Sequence, residues 1–461
     1  MKRPLLVFFI IVVIALAAAS GWYYLKVGPP RLNVVLICID GLRPDHIGCY
    51  GHERDTSPAI DRLAKNGARF TTVASSSTWS LPAHTALFTG LYDGVHMVTG
   101  VDRRLDEKRV TLAETLQDKG YRTAAIFTGP HLNPDFNLDQ GFDEYIDATG
   151  KQGFTSPDVR GLPSRTTPHA MDEAEEWIGS SDRSSPFFLF IQLNDLKTEL
   201  DPPPPYDDMF GPDYGGTIDG RDMYRDPRIV PDMDKKDLEH LQALYDGEIR
   251  YIDDKGVARL VSILKRERLD SNTLVVITST HGFEFFEHGR LGYGNNLYDT
   301  TLTVPLIFWR PGLVPPKEIK NQASLIDVTP TIMDLLGFLP LGESLGESLR
   351  PRFKNPAIEN QLPMYIELSR GGADLEGTRQ TVRKLIVDNN AKQVIYFNLV
   401  RDPDEQRPVT DSENNDLREA LINFRALKNG LQKTRQAMTW TKGPRKEKDV
   451  KGIESAGYFQ E

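Results

Sequence analysis

The sequence predicts an α/β chain built on a doubly wound, mostly parallel sheet, with a small C-terminal α+β subdomain. Three observations carry this. Continuous apolar, β-branched runs at Asn33 to Ile39, Phe187 to Gln192 and Thr273 to Thr278 are the pattern of strands buried on both faces of a parallel sheet. Helical segments alternate with such runs along most of the chain. Asp40, Lys197 and His281 each follow the carboxyl end of one run, the edge at which open α/β sheets bind ligands.

The elements follow in order. Met1-Lys2-Arg3 precedes an apolar segment from Leu5 to Leu25, 21 residues that end in Trp22, Tyr23 and Tyr24. That length spans a bilayer, the basic start keeps the N-terminus cytoplasmic, and the aromatic residues suit the far interface. A cleavable signal peptide with Ala17-Ala18-Ala19 as its small-residue site is the rival. The aromatic belt lies past that cleavage point and favours the anchor. In both readings the main domain is periplasmic or extracellular. Residues 1–27 are therefore read as anchor or signal segment, 31–354 as the α/β domain and 355–461 as the C-terminal subdomain.

Within the α/β domain, Ser57-Pro58 starts a helix closed by Gly67, and Thr111 to Lys119 is a helix capped by Gly120. Thr123 to Phe127 is a strand. Gly150 to Pro168 is a loop, and Asp207 to Asp232 an irregular insertion. Asp234 to Arg268 holds one long amphipathic helix or two. Val304 to Trp309 is a strand, and Thr329 to Leu336 a helix closed by Gly337. In the C-terminal part, Val382–Val387 and Gln393–Leu399 read as a hairpin, followed by a helix over Leu417–Met438 and a charged stretch, Lys442–Lys451.

Composition narrows the function. The 461 residues carry a net charge of −10 without a basic block, which argues against nucleic acid as a partner. Cys38 and Cys49 are the two cysteines, too few for a thiolate zinc site, and Cys38 lies inside an apolar strand; both read as free thiols.

The stretch Ser75 to Gly90 carries the chemistry. A Ser/Thr-rich loop runs into Leu81-Pro82, and proline is favoured in a first helical turn. Ser80 thus sits at or just before a helix N-terminus, where free N–H groups and the dipole favour an anion. Its hydroxyl reads either as an N-cap or as a group held to attack a phosphate or sulfate ester.

Taken together, Asn33–Tyr50 (NVVLICIDGLRPDHIGCY), Thr56–Phe70, Trp79–Tyr92, Tyr245–Asp253, Val275–Gly289, Leu297–Trp309, Leu325–Gly337, Tyr396–Gln406 and Gly457-Tyr458 resemble the sulfatase family of the alkaline phosphatase superfamily. The resemblance implies the alkaline phosphatase-like fold and a divalent metal, Ca²⁺, Mg²⁺ or Mn²⁺, held by Asp40, Ser80, Thr280 and His281. It implies Ser80 as nucleophile, with His84 and Lys197 stabilising charge on the transferred group. Lys197, Tyr293 and Asn295 fall at substrate-contacting positions. Several positions depart from the pattern. Gly41 stands where many sulfatases have a second acid, Thr280 where an Asp precedes the His, and Tyr293 where a His is common. His84 replaces the Arg of the formylglycine signature, so Ser80 is expected to stay an unmodified serine, which suits phosphoryl transfer better than sulfate release. One carboxylate fewer predicts a metal held weakly or not at all, unless Glu284, Glu287 or His288 folds back as a substitute ligand. Two functions follow from the resemblance. One is a metal-dependent ester hydrolase or transferase acting outside the cytoplasm on an anionic ester. The other is a catalytically degenerate binding protein for an anionic glycan, lipid or protein.

Overall fold

The computed structural model describes residues 32–149, 165–180, 182–196, 199–211, 213–221, 223–358 and 362–440. The span Leu5–Leu25, most of the loop Gly150–Pro168, Lys197, the charged stretch Lys442–Lys451 and Gly457-Tyr458 lie outside the described residues. Among the described residues no helix is long and apolar enough to cross a membrane.

The central sheet has eight strands: β1 (Asn33–Ile39), β2 (Ala68–Phe70), β3 (Arg122–Phe127), β4 (Glu144–Asp147), β5 (Phe187–Leu193), β6 (Thr273–Thr278), β7 (Leu306–Trp309) and β8 (Lys317–Ile319), in the spatial order β8-β2-β7-β6-β1-β5-β3-β4. The run β6-β1-β5-β3-β4 is parallel throughout. Strand β7 is antiparallel to both β6 and β2, and the other pairings are parallel, so the sheet is mostly parallel as expected. The direction of β7 follows from its connection. Between β6 and β7 the chain makes a single helical turn, Asp299–Leu302, and a two-residue ribbon. No crossover helix carries it back, so it returns alongside β6.

Side-chain alternation along β1 explains its unbroken apolar run. Val34, Leu36 and Cys38 enter one apolar cluster with Phe70, Phe188 and Phe190; Val35, Ile37 and Ile39 enter another with Leu189, Ile191 and Ile277. The helix Ser80–Thr89 packs on the first face through Leu81, Ala83, Leu87 and Phe88. The helices Thr167–Gly179, Lys235–Ile252 and Ala258–Arg266 pack on the second. The last two form one run joined by a π-helical turn, Asp253–Val257. Asp253 there accepts from the backbone N–H groups of Ala59 and Ile60 at 2.7 and 2.8 Å, satisfying the N-terminus of the helix Pro58–Lys65. The insertion Asp207–Asp232 contains neither helix nor strand among its described residues, as its composition predicts.

A second sheet of four antiparallel strands comprises β9 (Met364–Arg370), β10 (Ala373–Gln380), β11 (Arg383–Asp388) and β12 (Gln393–Asn398), with the helix Asn415–Ala437 packed on it. The hairpin β11–β12 matches the sequence pattern. Strand β10, ADLEGTRQ, alternates only over Ala373 to Glu376 and then runs into Gly377-Thr378-Arg379-Gln380, too short a signal to mark a strand; its backbone pairing to β9 and β11 makes it one. Cys38 and Cys49 are free, as expected.

Candidate active site

Parallel register builds the site. Cys38 of β1 is paired with Thr278 of β6, so two residues further on Asp40 and Thr280 leave the sheet side by side. The Thr280 hydroxyl donates to Asp40 Oδ1 at 2.7 Å. Gln192 of β5 donates to Oδ2 at 2.7 Å, and the Cys38 thiol lies 3.6 Å from Oδ1. Burial would raise the Asp40 pKa, but His84, His281 and the Thr280 and Gln192 hydrogen bonds hold it below its ordinary value, so the carboxylate stays charged. Gly41, at the second-acid position, has φ +84°, and a Cβ there would lie 2.9 Å from the Leu196 carbonyl oxygen. The backbone itself leaves no room for a second acid.

Ser80 is the first residue of its helix, after Trp79 in extended conformation. Its hydroxyl does not cap the helix. It lies 3.2 Å from His281 Nε2. His281 Nδ1–H donates to the Gly282 carbonyl at 2.8 Å, which leaves Nε2 as the acceptor facing Ser80. Burial, with the Arg370 and His84 charges adding to it, pushes the His281 pKa down to about 4 despite Asp40, so the ring is neutral at pH 7. Tyr293 stacks on this ring, 4.1 Å between centroids and 21° between planes.

His84 is fully buried one helical turn after Ser80, and its Nδ1–H donates to the Ser80 carbonyl at 2.8 Å. The Nε2 atom points at Asp40 Oδ1 from 3.4 Å and has no hydrogen-bond partner. A lone pair facing a carboxylate in a buried site is a place for a cation, either a proton or a metal ion. The expected role of His84 on the transferred group does not fit this placement, because the i to i+4 geometry of the helix turns it behind the nucleophile, away from solvent.

Asp40, Ser80, His84, Thr280, His281 and Tyr293 are thus brought together; Lys197 is outside the described residues. Asn295 is exposed and its amide donates to the Leu291 carbonyl, closing its own turn. The expected substitute ligands are engaged elsewhere. Glu284 accepts from the backbone of His288 and Arg290, Glu287 pairs with Arg43, and His288 stacks on Tyr298. Sequence reasoning missed Gln192, which sits inside a strand with no distinguishing pattern. It also missed His131, whose ring meets Trp79 edge-on at 5.5 Å and whose pKa burial pushes down to about 3. His131 lies just past the carboxyl end of β3, and the strand-end rule that found Asp40 would have found it.

Two overlapping donor sets are available to a divalent ion. Cys38, Asp40 and His84 present ligand atoms within 4.8 Å of one another. Asp40 and Thr280, joined at 2.7 Å, and Ser80 and His281, 3.2 Å apart, offer one carboxylate, two hydroxyls and an imidazole as two neighbouring pairs. The unpartnered His84 Nε2 beside a lone buried carboxylate fits a single divalent cation, held by less negative charge than a two-carboxylate site supplies.

Comparison with known proteins gives the family and the fold. Residues 32–338 match the family model described as Sulfatase. Arylsulfatase K of the dog, Canis lupus familiaris, is 23% identical over 441 residues, covering 84% of this chain and 79% of that protein. A structure solved in complex with its substrate D-glucosamine-2-N,6-O-disulfate superposes with a TM-score of 0.72 at 18% identity, covering 88% of this chain and 98% of that one. The phosphonate monoester hydrolase of Agrobacterium radiobacter superposes with a TM-score of 0.71 at 21% identity, covering 88% and 96%.

Proposed function

Because the chain belongs to the sulfatase family of hydrolases, within the alkaline phosphatase superfamily, we propose that it cleaves a phosphoric or sulfuric ester of an anionic substrate with Ser80 as nucleophile. The observation that carries this reading is the 3.2 Å contact between Ser80 Oγ and His281 Nε2, with the far nitrogen anchored on Gly282. Neutral His281 takes the Ser80 proton as Oγ bonds to phosphorus and the bond to the leaving oxygen breaks. His281 gives that proton to the leaving oxygen, then takes one from water as the water oxygen bonds to phosphorus, and returns it to Ser80 Oγ as the bond from Oγ to phosphorus breaks. The N–H groups at the start of the Ser80 helix face the developing charge. Asp40, Thr280 and Ser80 would hold a divalent ion, which when bound polarises an ester oxygen; the one lone pair of His281, on Nε2, is kept for the Ser80 proton. The relatives are hydrolases by name, which favours turnover over the binding-only alternative. The apolar span Leu5–Leu25 supports a location outside the cytoplasm, tethered through the N-terminal segment.

A serine without the signature Arg favours phosphoric over sulfuric esters, because a sulfated serine lacks the hydrate collapse that formylglycine provides. Peptide mass spectrometry across Phe70 to Arg103 is expected to find Ser80 unmodified. A mass lower by about two units, the hydroxyl oxidised to an aldehyde, would make sulfate hydrolysis the leading activity. Assays with aryl phosphates and aryl sulfates on the natural protein and on His281→Ala test the proposal as a whole. Hydrolysis lost in the variant is the expected result; equal rates in both would refute it.

The metal is expected to bind weakly in the natural protein. Thr280→Asp should tighten Mg²⁺, Ca²⁺ or Mn²⁺ binding by about tenfold or more, since the new carboxylate adds a charge and a hard oxygen next to Asp40. Calorimetric metal titration of both forms checks this; unchanged affinity would show that Thr280 is not at the metal.

A further inference from the structure

We propose that Arg370 is a specificity-determining residue whose guanidinium holds a second anionic group of the substrate, beside the ester that Ser80 attacks. This rests on the ester-hydrolase reading and adds the substrate class, an ester whose alcohol part carries an anion of its own.

Arg370 ends β9 and is half-buried, so the small sheet, not the main one, delivers it to the site. Its guanidinium lies 5.6 Å from the centre of the Trp79 ring and 5.3 Å from that of Tyr293. Trp79 directly precedes Ser80, and Tyr293 stacks on His281. Nη1–H donates to the Tyr293 carbonyl at 3.1 Å. A Cβ on Gly294 would lie 2.3 Å from that nitrogen, so the bare backbone, at φ +71°, lets the guanidinium lie against the turn.

Ring faces desolvate an arginine on its flat sides and leave its N–H edge free. Among the described residues no carboxylate pairs with Arg370, in a chain of net charge −10 whose other arginines around the site, such as Arg43, are paired. Among the described residues one of its five donors is used. A fixed, partly desolvated guanidinium with a free fork recognises a carboxylate, sulfate or phosphate bidentately. Arg370 meets the site through Tyr293 and Trp79, and among the described residues no hydrogen bond joins it to Ser80 or His281, so the group it holds is placed beside the reacting one. Its charge still reaches the site and contributes to the low pKa values of His281 and His131.

Calorimetric titration tests this on Ser80→Ala, which cannot turn over, with D-glucosamine-2-N,6-O-disulfate and glucosamine 6-sulfate as probes. The disulfate should bind about tenfold tighter than the monosulfate. Adding Arg370→Gln should remove that advantage and leave the monosulfate affinity within about twofold, and Arg370→Lys should restore part of it. Lys also serves if Gln weakens the small sheet, judged by unfolding temperature. Equal affinity for the two probes, no binding of either, or an equal loss of both in Arg370→Gln would overturn the assignment. If the difference is present and the natural protein hydrolyses no ester, the hydrolase reading fails and the Arg370 assignment stands.

Discussion

Ser80→Ala is expected to lower ester turnover by about 10³-fold or more, close to 4 kcal/mol of lost transition-state stabilisation, at unchanged stability. Alanine removes the attacking oxygen and leaves the helix start intact, since Ser80 does not cap its helix and its backbone carbonyl still receives His84. His281→Ala should cost nearly as much, and the double variant little more than either single one, because nucleophile and base act as a unit. Steady-state kinetics on the three variants with an aryl phosphate check this. Near-additive losses would mean that the two side chains do not act in one step.

Lys384→Met is expected to destabilise the folded protein by about 3–5 kcal/mol. Lys384 of β11 is fully buried, with Nζ 2.5 Å from Asp299, 2.6 Å from Glu405 and 3.1 Å from the Leu297 carbonyl. Asp299 also pairs with Arg379 at 2.8 Å. Methionine matches the length of the side chain but leaves Glu405 buried without its cation. Burial raises the Asp299 pKa, and Arg379 with Lys384 outweighs that to hold it below its usual value. A depressed carboxyl contributes stability above its unfolded pKa of about 3.9 and loses it as pH falls. The natural protein should therefore lose stability below about pH 4, and Lys384→Met should lose somewhat less there, because one of the two cations that hold Asp299 is gone while Arg379 remains. Denaturant unfolding at pH 7 and pH 3 measures both effects. Because this cluster joins β10 and β11 to the segment after His281, the same variant should also loosen the seat of Arg370.

The central sheet was legible because its strands are buried on both faces. Asn33–Ile39 cannot be amphipathic when Val34 and Val35 enter opposite cores, so the run is unbroken in sequence and structure alike. Asp40, Thr280 and His281 were legible for a related reason: parallel strands in register release their next residues at a common edge. The direction of β7 was not, since an apolar run looks the same in either orientation and its connection sets the pairing. The role of His84 was hidden as well. Its spacing from Ser80 places it one turn on, but which nitrogen meets Asp40 depends on the carbonyl that captures the other. Gly41 carried a signal in plain sight, a residue compatible with φ +84° where an acid would strain. Arg370 left no trace, because its partners, Trp79 and Tyr293, lie far away in the chain and only the pairing of the small sheet brings it to them.

The most direct test of the account is to look for the covalent intermediate. The protein is mixed with an excess of an aryl phosphate, quenched in acid within one turnover, and digested for peptide mass spectrometry. A phosphoryl group on the Ser80 hydroxyl, absent from Ser80→Ala and not accumulating in His281→Ala, is the result predicted here. Turnover with no modified Ser80 at any quench time, or turnover that survives in Ser80→Ala, would contradict it.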